Sequence, residues 1–447
     1  MTPHLIYIAF WYPPSRASGT YRAIATTRGF VDAGWDVTVI TTTPDFLKGE
    51  VGSVDDSLLA YIPSGVGVIR VPFTFADTTG IDVRSLGRLR ANLPTLWTAI
   101  RQRSAPIRDV VSVIKGETAD AHQFTDNYVA WIDPVVKNGM RVNSSRPVDH
   151  ILATGNPFSS FEAARLLAGM LGIGYSIDFR DPWTVDVFTG NVDHADRRST
   201  VAERLMVAES EFCFHVNEAI ADAYRAKYPE SADKHRVVYN GYDIESIPSP
   251  SGPASIPLRF GMLGTMNENW PAEAVFGGWV QSRGDLPEGS ELVLGGHLGY
   301  FARSEDLLEA YLPDESMGFS YVGPVPKAGV ADFYGSLDVI ILPVPGGAMV
   351  TSGKVFEAMA VGKPIVCVQK AGGGARLLLE NHPLAIGAEP TVDSVGTALL
   401  TAASAALDLE PRLSLEARAR AEKFERHLTM APLVDSIDGL VRKTQPA

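Results

Sequence analysis

The chain has 447 residues, more than one hydrophobic core usually serves, so two domains are the default expectation. Apolar residues make up 45% and charged residues 20% of the chain, which is typical of globular proteins and excludes a largely disordered one. The formal net charge of -13 argues against a general nucleic-acid binder, because an acidic surface repels phosphate.

The two cysteines, Cys213 and Cys367, each lie in an apolar run. This pattern predicts buried free thiols rather than a disulfide framework or a zinc site. The N-terminus opens almost directly into a strand-like run and lacks the features of a signal peptide. No apolar run is long enough to span a bilayer. We therefore expect a cytoplasmic protein that is at most attached to a membrane surface.

In the first half, short apolar runs alternate with helical patterns. The predicted strands are 5–10, 36–41, 150–154, 174–178, 212–216 and 236–239, and the predicted helices are 22–33, 159–171 and 217–227. Strands that alternate with helices in this way predict a parallel sheet with right-handed crossovers.

Residues 247–256 are rich in proline, serine and glycine, which predicts a linker. Beyond it, strands are predicted at 258–263, 291–294, 319–322, 339–342 and 364–368, and helices at 331–335, 354–361 and 374–380. The last helical pattern, over 415–441, has a break near 429–432. We predict an α/β protein with two Rossmann-like open-sheet domains, 1–246 and 257–425, that face a cleft. A C-terminal helix, 426–447, is expected to pack back on the first domain.

Residues 84–115 form a basic segment in this acidic chain. Its seven basic residues oppose a single acid, Asp109, and apolar residues are interleaved at helical spacing. One interpretation is a surface for anionic lipid head groups or for a polyprenyl-diphosphate acceptor. The other is a solvated amphipathic helix on the first domain.

The pattern richest in chemistry follows the predicted strand 339–342, where a loop leads into a helix near Gly353. The free amides at this helix start, with Ser352, Gly353 and Val355, can hold a diphosphate. Lys354 places a cation where the helix dipole favours an anion, which a bound anion would explain. Glu357, one turn later, can accept two hydrogen bonds from a ribose diol. The alternative is a solvated helix start with a modest surface ion pair.

Polar residues also follow several other predicted strands. Arg16, Gly19 and Arg22 lie in or after a proline-bearing loop, and Arg180 and Asp181 come directly after an apolar run. For Arg180 and Asp181, the alternative to a role in a ligand site is a structural ion pair.

Gly264 and Thr265 end the first strand of the second half, where a phosphate or sugar contact is plausible, and His297 is more typical of a loop. No metal-ligand cluster stands out, so lysine, arginine and helix amides would have to stabilise the leaving group.

These motifs together resemble the family 4 glycosyltransferases, which have the GT-B fold. The stretch 153–160 followed by 178–183 is similar to a bacterial surface-polysaccharide branch, 238–243 resembles the family's Asn-Gly-x-Asp, and 352–364 resembles its donor-binding helix. The resemblance implies a first domain for the acceptor and a second domain for the donor. It implies metal-free, cofactor-free, retaining hexosyl transfer from a nucleotide-sugar to a glycan, a polyprenyl-linked or a small-molecule acceptor.

In this interpretation Glu357 binds the ribose, and Ser352, Gly353, Lys354 and Val355 bind the diphosphate. Gly19, Gly264 and Thr265 join the donor site, Arg16, Arg22 and Asn156 contact the acceptor, and Arg180, Asp181 and Lys354 are the catalytic candidates.

The sequence departs from the family at two places. Met349 stands where a first glutamate is common, and 266–269 lacks a basic residue that Lys354, Lys327 or Arg16 would have to replace. Arg180 falls where many relatives carry a histidine. The alternatives are a nucleotide-sugar epimerase, a phosphorylase with pyridoxal phosphate, and a catalytically weak partner protein of the same fold.

Overall fold

The computed structural model describes residues 2–75, 126–192, 197–250, 252–267, 269–298, 309, 312 and 314–444. The basic segment 84–115 and Glu268 lie outside these residues. The chain divides into two compact units. The first comprises Met1–Asp186, Asn191–Val238 and Met430–Ala447, and the second comprises Val187–Gly190 and Tyr239–Thr429.

After the short excursion Val187–Gly190, the chain passes into the second unit between Val238 and Tyr239, ahead of the segment 247–256, which belongs to the second unit. The backbone explains this position. The Val238 amide still donates to His215 O in the first sheet, at 2.8 Å, whereas the Tyr242 amide donates to Phe424 O in the second unit, at 3.0 Å.

The described part of the first unit contains a parallel sheet of seven strands with the order β3-β2-β1-β4-β5-β6-β7. The strands are β1 (His4–Ala9), β2 (Asp36–Thr42), β3 (Gly67–Val71), β4 (His150–Gly155), β5 (Tyr175–Phe179), β6 (Cys213–His215) and β7 (His235–Val237). The helices between them are α1 (Gly19–Asp32), α2 (Ile132–Ser145), α3 (Ser159–Leu171), α4 (Arg197–Glu209) and α5 (Glu218–Lys227).

The described part of the second unit contains a parallel sheet of six strands with the order β10-β9-β8-β11-β12-β13. The strands are β8 (Arg259–Leu263), β9 (Glu291–Gly295), β10 (Phe319–Gly323), β11 (Val339–Pro343), β12 (Ile365–Val368) and β13 (Ala385–Ala388). The helices are α6 (Ala272–Ser282), α7 (Val330–Gly335), α8 (Lys354–Val361), α9 (Gly374–Leu379), α10 (Val392–Leu407), α11 (Pro411–Ala421) and α12 (Arg426–Thr444), of which α12 continues into the first unit from Met430.

Short helical turns occur in the connections. They are Pro44–Phe46, Leu47–Val51, Asp56–Tyr61, Val129–Trp131, Pro229–Lys234, Ile244–Ser246, Glu315–Met317, Lys327–Gly329 and Glu422–Phe424.

The predicted break near 429–432 is wrong. The helical pattern is interrupted instead at Glu425, which has extended backbone angles, and α12 then runs through Pro432. The cause is backbone pairing, because Tyr242 bonds to both sides of the interruption: its amide donates to Phe424 O, and its carbonyl accepts from the Arg426 amide at 2.8 Å.

The final helix completes the core of the first unit. Met430, Leu433 and Ile437 of α12 are buried in one hydrophobic cluster with Leu5 and Tyr7 of β1. Among the described helices none is by itself long and apolar enough to cross a membrane, and one pair, α10 with the segment Pro411–Phe424, passes that test only when the two are joined across a bend of 114°.

Buried histidines on the first sheet predict a loss of stability in mild acid. Burial lowers the pKa of His150 to about 3 and that of His235 to about 4. Burial, together with the nearby His235, also holds the pKa of His215 well below 6.5. His215 Nε2 and His235 Nδ1 are 2.7 Å apart, so one shared proton joins two neutral rings.

Below pH 6.5 these histidines bind protons in the unfolded chain but stay neutral in the folded chain. Stability is therefore fully present above that pH and falls by roughly 1.4 kcal/mol per pH unit for each such histidine as the pH approaches its folded pKa. We expect the urea midpoint, followed by circular dichroism, to fall between pH 7 and pH 5. His150→Asn should make this dependence shallower, and an unchanged slope would contradict the assignment.

Candidate functional site

The start of α8 has an unusual backbone geometry, in which the Lys354 amide donates to Ser352 Oγ and the Val355 amide donates to Ser352 O, both at 3.3 Å. Ser352 has φ of 47° and is the one described non-glycine residue with a positive φ. Gly353 follows in the right-handed helical region, with φ of -61° and ψ of -24°. Successive residues of left- and right-handed helical conformation form a concave arrangement of amides that binds anions. Strained non-glycine residues of this kind cost of order 1–3 kcal/mol and cluster at ligand sites.

This helix start is open. Gly353 is exposed, and a Cβ atom built on it meets no described atom within 4 Å. The glycine is therefore not needed for internal packing, and its φ would suit alanine. The glycine leaves the backbone open at this position.

Lys354 and Glu357, which were predicted to bind different parts of a nucleotide, are paired with each other. Lys354 Nζ lies 3.0 Å from Glu357 Oε1 and 2.8 Å from Oε2. The Lys354 side chain is 34% exposed and the Glu357 side chain 13%. In this structure the two side chains therefore form an ion pair with each other.

Two further residues that shape this site were not found from the sequence. The Tyr334 hydroxyl donates to Glu357 Oε2 at 2.9 Å. Gln369, buried at the end of β12, donates to Val350 O at 3.0 Å and accepts from the Ala375 amide at 3.0 Å. Gln369 thus ties the loop before Ser352 to the start of α9. Neither residue stands in a motif, so only the folded contacts reveal them.

The glycines at the ends of β8 and β9 are packed against each other. Gly264 has φ of 150°, and a Cβ atom on Gly296 would lie 1.8 Å from Gly264 O. Thr265 follows in a half-buried position, and the Met266 amide donates to His297 O at 2.8 Å. The close approach of the two loops explains the glycines, and Thr265 remains a candidate for a ligand contact.

Lys327, one of the candidates for the missing phosphate-binding charge, is engaged elsewhere. Its Nζ lies 2.6 Å from Asp243 Oδ2, and Arg426 Nε lies 2.6 Å from Asp243 Oδ1. Burial alone would raise the pKa of Asp243, but these two cations hold it below its usual value. The segment that resembles Asn-Gly-x-Asp therefore holds the start of α12.

In the first unit, the predicted residues Gly19 and Arg180 are in contact. A Cβ atom on Gly19 would lie 2.5 Å from a guanidinium nitrogen of Arg180, so a larger residue there would have to displace this side chain. Arg180 also donates to Ser18 Oγ at 3.2 Å and to Asp181 Oδ2 at 2.8 Å. Asp181 is exposed, and so are Arg16 and Asn156.

Arg22 forms a buried ion pair within the first unit instead of the predicted contact with an acceptor. Its side chain is 2% exposed, and it donates to both carboxylate oxygens of Asp178 at 2.7 and 2.8 Å and to Val238 O at 2.8 Å. A side chain so enclosed by its own unit presents no surface to an acceptor. The ion pair joins α1 to the end of β5.

A buried carboxylate that was not predicted holds the loop after Arg180. Glu203 on α4 is fully buried and accepts from the Thr184 amide at 3.1 Å and from the Tyr224 and Tyr228 hydroxyls at 2.8 Å each. Tyr224 in turn accepts from the Trp183 amide at 3.0 Å. Buried polar networks of this kind rigidify a loop when every member is satisfied.

Within the described ranges, no group of three or more histidine, cysteine, aspartate and glutamate residues could hold a metal ion.

No protein-family model matches the chain, and no curated protein matches it. Solved structures do match over nearly its whole length. A glycosyltransferase from Rickettsia africae has a TM-score of 0.69 at 11% identity, and the match covers 99% of this chain and 100% of that one. Sucrose-phosphate synthase from Thermosynechococcus elongatus has a TM-score of 0.64 at 13% identity, with 99% and 100% covered.

HepE of Anabaena, in complex with UDP and glucose, has a TM-score of 0.61 at 12% identity, with 98% and 100% covered. UDP-N-acetylglucosamine 2-epimerase structures match at 0.56 and 0.54. These similarities show that the chain has the GT-B fold of these enzymes.

Proposed function

We propose that this protein is a glycosyltransferase that transfers a sugar from a nucleoside diphosphate sugar to a hydroxyl acceptor. The observation that carries the proposal is the open turn at Ser352 and Gly353, with a lysine beside it and a carboxylate one helical turn later. A pyrophosphate fits the first group and a ribose diol fits the carboxylate. HepE, a structure of the same fold, binds UDP and UDP-glucose, so UDP-sugars are the first donors to test.

In this proposal the diphosphate draws the Lys354 ammonium away from Glu357, whose oxygens then accept the ribose hydroxyls. As the bond between the anomeric carbon and the diphosphate oxygen breaks, Lys354 and the turn amides stabilise the growing charge. The acceptor oxygen bonds to the same face of that carbon, so the configuration is retained. The proton of the acceptor hydroxyl passes to a donor phosphate oxygen.

For the acceptor we propose the exposed residues of the first unit that follow β1, β4 and β5: Arg16, Asn156 and Asp181, with Arg180 beside them. A glycan or polyprenyl-linked acceptor suits a surface that offers carboxylate, amide and guanidinium groups to hydroxyls or phosphate. Peripheral membrane attachment through the basic segment 84–115, in the cytoplasm, stays part of the proposal on the basis of its sequence.

Gly353→Ala tests the donor site directly. Alanine is compatible with the backbone there, so the variant should be as stable as the original protein or more stable by about 0.4–1 kcal/mol. Its methyl group would stand where the phosphate approaches the amides, and UDP affinity should fall about tenfold. Calorimetric titration with UDP, GDP, ADP and dTDP measures this effect.

The matched control is Gly169→Ala, an exposed glycine on α3 whose Cβ atom also meets no described atom within 4 Å. It should leave nucleotide affinity unchanged. Equal affinity of Gly353→Ala and the original protein would overturn the placement of the diphosphate.

A 2-epimerase is the second candidate, because epimerase structures share this fold. It would convert UDP-N-acetylglucosamine without any acceptor, and product analysis by NMR distinguishes it from a transferase. A catalytically weak partner protein would bind none of the four nucleotides.

A further inference from the structure

Tyr334 is a buried phenol whose hydroxyl is directed at the candidate ribose-binding carboxylate. It is 1% exposed, and its oxygen lies 2.9 Å from Glu357 Oε2. Burial, reinforced by the Glu357 charge, raises the pKa of Tyr334 well above 10. The hydroxyl therefore stays protonated and donates a hydrogen bond to the carboxylate. Among the described residues Glu357 therefore has two side-chain donors, a half-buried ammonium and an enclosed phenol.

The backbone that carries Tyr334 is held in place by a second buried polar side chain. Lys363, 4% exposed, donates to Tyr334 O at 3.2 Å, to Gly335 O at 2.9 Å and to Leu337 O. These are carbonyls at and after the end of α7, and Tyr334 O also accepts from the Leu337 amide at 3.3 Å. The Tyr334 ring itself packs in the core of the second unit with Leu337 and Phe356. The phenol therefore has little freedom to move.

The two donors to Glu357 differ in what a ligand can do to them. Lys354 is 34% exposed on a flexible side chain, so a diphosphate at the turn can attract its ammonium. The Tyr334 hydroxyl cannot move in the same way, because its ring is packed in the core. Without the ammonium, a carboxylate that is only 13% exposed would lose most of its hydrogen bonding, which is costly unless other donors remain.

We propose that Tyr334 is a positioning residue of the donor site: its fixed hydroxyl holds the Glu357 carboxylate in place while Lys354 turns to the diphosphate, so that the ribose hydroxyls find both acceptors correctly oriented. This inference rests on the proposed function, because it assumes a nucleotide at the site. It extends that function by assigning the discrimination between ribose and deoxyribose to Tyr334, which would contact neither sugar.

Tyr334→Phe tests the inference, because it removes the hydroxyl and keeps the ring in the core. Affinities are measured by calorimetry for ribo and 2′-deoxyribo pairs: UDP and dUDP, GDP and dGDP, ADP and dADP. The original protein should prefer the ribo member. In the variant, affinity for that member should fall about tenfold, the loss expected for a hydrogen bond to a charged group. The deoxy member should lose less, so the preference for ribose should shrink at least about threefold.

The matched control is Tyr175→Phe, which removes a buried phenol that donates to Met206 O at 2.9 Å in the first unit. It should leave both nucleotide affinities and their ratio unchanged.

The outcomes separate the inference from the function on which it rests. If the original protein binds none of these nucleotides, the proposed function fails. If it binds them with a preference for ribose and Tyr334→Phe keeps the same preference, or loses ribo and deoxy affinity equally, the positioning role of Tyr334 is overturned and the proposed function stands.

Discussion

Lys354→Met is expected to lower the rate of sugar transfer by a factor of ~10²–10³, the effect of removing one charge-stabilising donor from a transition state. The loss should appear mainly in kcat, because the charge on the diphosphate grows as the glycosidic bond breaks. Methionine keeps the helix propensity of lysine, and the Tyr334 hydroxyl still donates to the Glu357 carboxylate. The fold should therefore be intact, which a thermal unfolding scan checks.

Two comparisons make this result specific. Lys137→Met removes an exposed helical lysine from α2 in the first unit and should leave the rate unchanged. Glu357→Gln keeps the size of the side chain and removes its charge, so it should weaken nucleotide binding and slow transfer less than Lys354→Met does. A Lys354→Met enzyme with the original kcat would exclude Lys354 from leaving-group stabilisation.

Most strands could be located along the chain, because each is a short apolar run bounded by turn residues. Strand β3, Gly67–Val71, was missed although three of its five residues are β-branched: it is short, contains Arg70, and lies at the edge of the described sheet. Helix α10 was missed for a different reason. Its sequence, VDSVGTALLTAASAAL, mixes small and β-branched residues with a glycine, and its helical state depends on packing into the second core.

Only part of the candidate site could be predicted from the sequence. Ser352, Gly353, Lys354 and Glu357 are neighbours in sequence, so one local pattern reveals them together. Tyr334 and Gln369 act on that pattern from other elements, and nothing in their own surroundings in the sequence indicates it. The mutual pairing of Lys354 and Glu357 was considered as the alternative to ligand binding, and the structure shows that this pair forms in the ligand-free chain.

The segment 178–183 contains two carboxylates that differ in their burial. Its first residue, Asp178, is fully buried against Arg22, whereas Asp181 is 57% exposed. The sequence alone does not distinguish the two carboxylates, because both lie next to charged residues after an apolar run. Their burial does: the first is a structural partner, and the second is available to a ligand.

Asp178→Ala is accordingly expected to destabilise the first unit by about 3–5 kcal/mol, because it leaves the enclosed Arg22 guanidinium without its counter-charge. The urea unfolding transition measures this loss. Asp181→Asn, in the same loop, should cost at most about 1 kcal/mol, since exposed ion pairs contribute little.

The double variant Arg22→Met, Asp178→Leu distinguishes the cost of an unpaired charge from the value of the pair itself. Replacing both members of a buried ion pair by apolar residues of similar size is often neutral or stabilising, so the double variant should recover most of the stability that Asp178→Ala loses. If it also transfers sugar with an unchanged KM for the acceptor, Arg22 is excluded from acceptor binding. If Asp178→Ala instead lowers the free energy of unfolding by less than about 1 kcal/mol, the ion pair is not enclosed in solution.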